Sequence, residues 1–224
     1  MHVEQVAPDL LRICLVGSDI VNAYIAGDVL IDSGASFSRS KLLKVLERLQ
    51  LSGHALTHGH SDHQGCSHAV CERSGIPLYC GAGDREAVES GDGSTLLPRP
   101  DGLLAKVSSR FRVAPHPVTR TLVEGDTVGG FVCVETPGHT PGHLAFWREY
   151  DGVLILGDVL FHRNPLTLRR GLAEPFDVVT HDPEVNRNSA RKLAGLRPEI
   201  VCFGHGAPLR DGAAFSRFVD GLPV

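Results

Sequence analysis

The sequence lacks the features of three large protein classes. No run of basic residues is longer than a pair and the formal net charge at pH 7 is -4, so a nucleic-acid backbone is not an expected partner. No apolar run approaches the roughly 20 residues of a membrane-spanning helix, so no membrane partner is expected. The six cysteines contain no C-x-x-C pair, so we expect reduced, mostly buried thiols rather than a disulfide framework.

The first residues also lack an unbroken apolar core of the kind that a secretory signal peptide needs, since they carry Glu4, Asp9 and Arg12. We therefore expect a cytoplasmic protein. Hydrophobic residues make up 42% and charged residues 21% of the 224-residue chain, as in soluble globular proteins. A small molecule is the expected partner, and the sequence leaves the oligomeric state open, a homodimer included.

Short apolar strands and amphipathic helices are predicted along most of the chain. LLRICLV and IVNAYIAGDVLIDSG predict strands broken by turns, and SRSKLLKVLERLQ predicts a helix because its leucines share one face. HALTH and IPLYC predict further strands, with the helix SHAVCERSG between them. The second half again runs from strands to helices. This order fits one domain, residues 1–224, with two sheets between helices.

Residues 81–120 are the irregular part of the sequence. Nine glycines and prolines interrupt two short amphipathic pieces there. Long segments without firm periodicity are usually functional or mobile, so we predict a lid insertion at 81–120.

The stretch THGHSDHQG, residues 57–65, places three histidines and one aspartate within six positions. Residues two apart in an extended segment point the same way, so His58, His60 and Asp62 can converge at the end of the strand HALTH. The turn re-aims His63, which begins a helix, so one loop can serve two adjacent centres. Imidazole and carboxylate groups together suit zinc, iron or manganese. The stretch therefore predicts a metal site.

This stretch resembles the signature of the metallo-β-lactamase superfamily, and four further stretches resemble the other motifs of that family in family order. They are LIDSG with Asp32, TPGHTPGH with His139, LILGDVLF with Asp158 and CFGHG with His205. The resemblance implies an α/β fold of four layers, an αββα sandwich with two mixed sheets between outer helices. Within the superfamily the chain looks most like the small glyoxalase II-like and lactonase-like branch.

The resemblance also implies two divalent metal ions, zinc first, with iron or manganese as alternatives. The implied ligands are His58, His60 and His139 for the first metal, Asp62, His63 and His205 for the second, and Asp158 as the bridge. Asp32 is expected to orient the ligand loop by hydrogen bonds, as outer partners of metal ligands do. His143, in the second PGH turn, is the rival of His139; family order favours His139 and leaves His143 beside the ligands.

Two adjacent divalent metals predict hydrolysis, because together they ionise a shared water and polarise the electrophile. The resemblance implies a metal-bridging hydroxide, with Asp62 and Asp158 as the catalytic carboxylates and a thioester or lactone as the substrate. A poor leaving group needs a proton donor, for which His162 and His181 are candidates, and Arg163 is a candidate for binding an anionic substrate group.

Other functions of the same fold stay open. The stretch after Asp158, VLFHRNPLTLRRG, lacks the G-C-G-R typical of glutathione-thioester hydrolases, which argues against glutathione thioesters. A persulfide dioxygenase would use one iron, held by His58, His139 and Asp158. A metal-binding protein without turnover is the second alternative, and it is disfavoured because a structural site is normally closed by four ligands.

Overall fold

The computed structural model describes residues 2–17, 19–110 and 112–223. Its larger sheet has seven strands in sequence order: β1 His2–Ala7, β2 Leu10–Val16, β3 Val21–Ala26, β4 Val29–Ile31, β5 Gly53–Ala55, β6 Leu78–Gly81 and β7 Arg120–Leu122. Short turns join β1 to β4, which run antiparallel. Longer connections carry the chain from β4 to β7, which run parallel.

The other strands form a second sheet and a hairpin. Their bounds are β8 Thr127–Val128, β9 Phe131–Glu135, β10 Leu144–Arg148, β11 Val153–Ile155, β12 Phe161–Arg163, β13 Arg170–Ala173 and β14 Ile200–Cys202. The second sheet has the order β14-β11-β10-β9-β8, and β12 pairs with β13 separately. Only β14 and β11 are parallel within the five-stranded sheet.

The described chain has seven α-helices, most of which pack on the outer faces of the two sheets. They are α1 Arg39–Leu46, α2 Ser61–Gln64, α3 Ser67–Ser74, α4 Arg85–Ser90, α5 Leu103–Ser108, α6 Pro183–Gly195 and α7 Gly212–Asp220. No helix in the described ranges is long and apolar enough to cross a membrane.

Three apolar clusters separate the four layers. Residues of both sheets, Phe131 and Ile31 among them, form the central cluster. Leucines of α1 and residues of α3 pack on the outer face of the large sheet, and Leu193 of α6 and Phe215 of α7 pack on the outer face of the second sheet. Burial of these faces drives the layering. The expected αββα sandwich is confirmed.

Local predictions differ from the structure in three places. The helix predicted over SRSKLLKVLERLQ ends at Leu46 rather than at Gln50. The strand β1 was not predicted, because its first residues are mostly exposed and polar and gain their order by pairing with β2. The hairpin of β12 and β13 lies in a stretch for which no strand was predicted. All six cysteines are free and buried, as predicted.

The segment 81–120 contains α4, α5 and two 3₁₀ turns. Leu96 and Leu97 are buried, whereas Leu103 is 80% exposed. The first half of the segment thus packs onto the body of the protein and α5 faces solvent. The lid function stays a prediction.

His54, on β5, gives the fold a pH-dependent stability. The ring is fully buried; Nδ1 donates to the Leu30 carbonyl at 3.1 Å and Nε2 accepts from the Ser67 hydroxyl at 2.8 Å. Burial lowers the pKa of His54 from 6.5 to about 4. The unfolded chain therefore binds a proton between these pH values that the folded chain excludes, and this stability is full above pH 6.5 and lost as the pH falls toward 4.

We expect this group to cost the protein about 3 kcal/mol of unfolding free energy between pH 7 and pH 4. Urea unfolding of the wild type and of His54→Gln, measured at a series of pH values, checks this. The two curves should converge as the pH falls. Parallel curves would show that His54 titrates alike in both states.

Candidate metal centre

The centre lies where polar residues follow the ends of parallel strands. Asp32 follows β4, His58 follows β5, Asp158 follows β11 and His205 follows β14. The carboxyl ends of parallel strands meet at one edge of a sheet, which is where such folds place reactive groups. The α2 helix begins at Ser61, directly after His60, so it turns both Asp62 and His63 away from the direction of His58 and His60. The predicted convergence of Asp62 with His58 and His60 was wrong, because Asp62 lies in the helix and groups with His63 and His205.

The first group of predicted ligands brings together three imidazoles from two loops. His58, His60 and His139 each offer a ring nitrogen within a common 4.8 Å. Nδ1 of His60 lies 3.0 Å from Nε2 of His139. His58 and His139 are buried. Burial lowers the pKa of all three, in His60 to about 4, so these rings are held neutral, the form that binds metals.

The second group is Asp62, His63 and His205. Oδ2 of Asp62 lies 3.4 Å from Nε2 of His205 and 3.9 Å from Nε2 of His63. Nδ1 of His205 donates to the Ile20 carbonyl, which leaves Nε2 facing the centre. The Asp62 side chain is 39% exposed, whereas those of His63 and His205 are at most 3% exposed. This group therefore opens to solvent at Asp62.

Asp158 stands between the two groups. Its Oδ2 lies 3.0 Å from Nε2 of His205, 3.4 Å from that of His63, 3.7 Å from that of His139 and 3.9 Å from that of His58. One carboxylate oxygen thus faces four imidazole nitrogens. Burial opposes its charge, yet His205 and His63 hold the pKa of Asp158 well below its usual range, so it stays an anion.

Unpartnered buried atoms test whether these residues fit a metal. Nε2 of His58, His60 and His63 and Oδ1 of Asp158 are buried without a hydrogen-bond partner. Such atoms cost about 1–3 kcal/mol each when left unsatisfied. A divalent cation accepts the lone pairs of neutral imidazole and of carboxylate, so the donor set fits divalent metals.

Asp32 makes hydrogen bonds to the ligand loop, as was expected from its motif. Its carboxylate accepts the Thr57 amide at 2.8 Å, the Thr57 hydroxyl at 2.8 Å and the His63 Nδ1–H at 2.9 Å. Asp32 has a φ of +58°, a left-handed conformation that aspartate tolerates better than most residues. The bond to Nδ1 fixes the His63 tautomer, leaving Nε2 for the centre.

His143 lies outside both ligand groups and supports Asp158 instead. Its Nε2 accepts the Asp158 amide at 3.1 Å, and its Nδ1 pairs with the Thr136 hydroxyl at 2.8 Å. Burial lowers its pKa to about 3. The neutral ring thereby holds the backbone of Asp158.

Gly204 lies tightly against the Asp158 carboxylate and the His63 ring. A Cβ built there would lie 2.1 Å from Oδ1 of Asp158 and 2.6 Å from the His63 ring. Any side chain would therefore displace the Asp158 carboxylate.

Asp84 belongs to the site and was not singled out in the sequence. It is fully buried just after β6, and it accepts the Gly59 amide at 2.8 Å, the Thr140 hydroxyl at 2.7 Å and the Gly142 amide at 2.7 Å. It therefore ties the loop of His58 and His60 to the loop of His139. Burial raises the pKa of Asp84 although these donors act against it. Its only sequence signal is its position after a parallel strand, like that of Asp32.

Of the three predicted substrate contacts, His162 and Arg163 line one cavity, whereas His181 lies next to the loop of His139. Nδ1 of His162 pairs with the Ala207 carbonyl at 2.7 Å, and the ring packs against Phe203. His181 is exposed and its amide donates to the His139 carbonyl at 3.1 Å. Arg163 is 9% exposed, and its Nε and Nη1 have no partner. Arg163 and His162 line a cavity of about 200 Å³ with Asp19, Arg170 and Ala207.

Comparison with known proteins identifies the family. A family model described as the metallo-β-lactamase superfamily matches residues 16–205. The probable metallo-hydrolase YflN of Bacillus subtilis (strain 168) is 32% identical over 203 residues, which cover 81% of this chain and 76% of that protein. A hydroxyacylglutathione hydrolase of Methylococcus capsulatus is 31% identical over 123 residues, 54% of this chain and 39% of that enzyme.

A solved structure agrees in fold and in sequence. The crystal structure of TTHA1623 in a di-iron-bound form matches with a TM-score of 0.71 and 30% identity, covering 91% of this chain and 96% of that one. Fold and site together define a metal-dependent hydrolase built on an αββα sandwich. The chain belongs to the metallo-β-lactamase superfamily.

Proposed function

We propose that this chain is a binuclear hydrolase of small esters. The observation that carries the proposal is Oδ2 of Asp158, which faces Nε2 atoms from both histidine groups within 3.9 Å. The proposed ligands are His58, His60 and His139 for one metal, Asp62, His63 and His205 for the other, and Asp158 for both. Zinc suits this nitrogen and oxygen set best, with iron or manganese as alternatives.

When bound, such a pair of metals supplies Lewis acidity and a water that ionises near neutral pH. The residues of the chain orient the reactants. Of the two aspartates among the proposed ligands, Asp62 is the more exposed: 39% of its side chain is accessible, against 4% for Asp158. We therefore infer that the substrate approaches beside Asp62. Its carboxylate accepts a hydrogen bond from the attacking water and so aims the oxygen at the ester carbon. The backbone of Asp158 is held by His143, and its carboxylate faces both histidine groups and so keeps them together.

The proposed substrate is a thioester or a lactone. The partial match to hydroxyacylglutathione hydrolases supports an ester-type bond, while the missing G-C-G-R stretch disfavours a glutathione leaving group. Arg163 supports an anionic group elsewhere on the substrate, because its buried Nε and Nη1 lack partners beside an open cavity. Guanidinium donors of this kind bind carboxylate or phosphate. His162 lines the same cavity, and His181, whose amide donates to the His139 carbonyl, is the other candidate proton donor.

A mononuclear iron dioxygenase is the second candidate. Asp158 Oδ2 lies 3.9 Å from His58 Nε2 and 3.7 Å from His139 Nε2. Two histidines and a carboxylate form the facial triad of non-haem iron enzymes. Such an enzyme would consume oxygen with a persulfide substrate and would not hydrolyse esters.

Metal analysis and activity screening of one preparation test the proposal. Protein purified without added metal should contain about two zinc, iron or manganese ions per chain, measured by plasma mass spectrometry. The same sample should hydrolyse members of a panel of thioesters and lactones. About one iron per chain with oxygen uptake and no hydrolysis would instead establish the dioxygenase. Full turnover after complete metal removal would refute both candidates.

Replacing Arg163 tests the anionic substrate group. Arg163→Ala should raise KM for an ester with a carboxylate or phosphate by about 10-fold or more, because a charge-assisted hydrogen bond is lost. The kcat for a neutral ester should stay unchanged. Arg169→Ala, which removes an exposed arginine of the same loop, is the matched control. Equal effects on charged and neutral esters would show that Arg163 only supports the fold.

A further inference from the structure

A second cluster of metal-binding side chains lies on α3 and on the extended segment 112–119. It consists of His68, Glu72 and His116. We propose that these three residues bind a divalent transition-metal cation, with Zn²⁺ as the best fit, separately from the centre between the sheets. The three ligand atoms lie within 4.8 Å of one another.

Helix geometry places two of the ligands side by side. His68 and Glu72 are four residues apart on α3, so they are neighbours on one face of the helix. An imidazole and a carboxylate at this spacing can bind one ion without any change of the backbone. Glu72 is exposed, with 64% of its side chain accessible, so its carboxylate is free to turn toward the cation.

The third ligand is held rigidly opposite that face. His116 lies between Pro115 and Pro117, and a residue before proline is restricted to extended backbone. The segment is tied at both ends, since the Val113 amide donates to Gly91 at 3.0 Å and the Thr119 amide donates to Leu78 at 2.9 Å. The His116 side chain is 12% exposed. Little conformational entropy is therefore lost when this ring binds an ion.

The distances match a tetrahedral zinc site. Nδ1 of His68 lies 3.3 Å from Nδ1 of His116. At Zn–N lengths of about 2.0–2.1 Å, two nitrogens of a tetrahedron are about 3.3–3.4 Å apart. Oε1 of Glu72 lies 3.8 Å from Nδ1 of His116, so a small rotation completes the third position. A water can take the fourth.

The charges of the cluster also favour a cation. Burial and the neighbouring His68 lower the pKa of His116, which keeps its ring neutral and able to coordinate. Glu72 supplies a negative charge. The competing explanation is a hydrogen bond between the two rings, in which one Nδ1 donates to the other. Glu72 Oε1, which lies 3.8 Å from Nδ1 of His116, is an oxygen ligand that this bond does not use.

An ion bound here would join two parts of the chain that are 44 to 48 residues apart in the sequence. It would link α3, which directly follows the ligand loop of the metal centre, to the end of the segment 81–120. Binding to the folded state alone stabilises it in proportion to the logarithm of the free ion concentration. A metal ion at this site would therefore fix the extended stretch 112–119, at the end of the segment 81–120, to α3.

Equilibrium dialysis against buffered free Zn²⁺, followed by plasma mass spectrometry, tests the site. His116→Ala should bind one zinc ion fewer per chain than the wild type. Glu72→Gln, which changes an exposed side chain and leaves folding intact, should weaken this one ion by about 10-fold. His2→Ala, which removes an exposed histidine of β1, is the matched control and should bind the full number.

Two further measurements separate this site from the metal centre. Ester hydrolysis by His116→Ala and Glu72→Gln should equal that of the wild type, because neither residue touches the centre. Added Zn²⁺ should raise the Tm of the wild type more than that of either variant. Equal zinc counts for the wild type and both variants would overturn the proposal and leave the hydrogen bond between the rings. Loss of ester hydrolysis in these two variants at an unchanged number of zinc ions per chain would also overturn the proposal.

Discussion

Asp158→Ala is expected to abolish metal binding at the centre and to lower ester hydrolysis by at least about 100-fold. The reason is geometric, because one oxygen of this carboxylate faces Nε2 atoms of four histidines within 3.9 Å. Without it, the histidine groups lose the anion that they share and the charge that offsets a cation. Metal content by plasma mass spectrometry and initial rates on the best ester substrate measure both effects.

Asp151→Asn provides the control for Asp158. Asp151 precedes the same strand, β11, and pairs with Arg148 at 2.7 Å. The control variant should keep its metals and its rate, although it also loses a carboxylate from a partly buried pair. A wild-type metal content in Asp158→Ala would refute the bridging role of Asp158. A chain without metal that still hydrolyses at the wild-type rate would refute the metal mechanism.

Asp84→Ala is expected to weaken metal binding about 10- to 100-fold, although Asp84 lies in none of the ligand groups. Its carboxylate accepts hydrogen bonds from both ligand loops, through Gly59 on one side and through Thr140 and Gly142 on the other. Alanine leaves these three donors buried without a partner, at about 1–3 kcal/mol each. The loops of His58 and His139 then lose their common anchor.

Two variants separate this effect from a general loss of stability. Asp211→Ala removes the N-cap of α7, which accepts the Ala214 amide at 2.8 Å, and should cost about 1 kcal/mol without changing metal affinity. Asp84→Asn keeps the size of the side chain but turns an NH₂ group toward one of the donors. Metal titrations and urea unfolding should place Asp84→Asn between the wild type and Asp84→Ala. Equal metal affinity in all of them would show that Asp84 serves folding only.

The antiparallel start of the large sheet follows from local signals, whereas the four layers were implied by the family resemblance. Turn residues between short apolar strands predict the antiparallel start, and Gly75 ends α3 in the left-handed conformation that favours glycine. The strand β1 and the hairpin of β12 and β13 escaped prediction. Their side chains are largely exposed or polar, so hydrophobic periodicity is weak and pairing with a neighbouring strand decides their conformation.

Part of the candidate site was likewise predictable from the sequence. The order and spacing of the five motifs, through the family resemblance, determined which histidines and aspartates to consider. Chain-local geometry explains why His58 and His60 share a direction, whereas α2 carries Asp62 and His63 to the second group. The sequence by itself also determined the family resemblance, through the order of the motifs, and that resemblance implied the layered fold. Hydrophobic patterns alone indicated strands and helices of one domain.

Only the tertiary structure decided which distant groups meet. Asp84 and Gly142 are 58 residues apart, and their hydrogen bond exists because β6 ends beside the loop that precedes β10. The same holds for His143 behind Asp158, for the partnerless atoms of Arg163 and for His116 opposite α3. A hydrogen bond or a shared ion depends on positions in space to within a fraction of an ångström, and packing of the two sheets and their helices sets those positions.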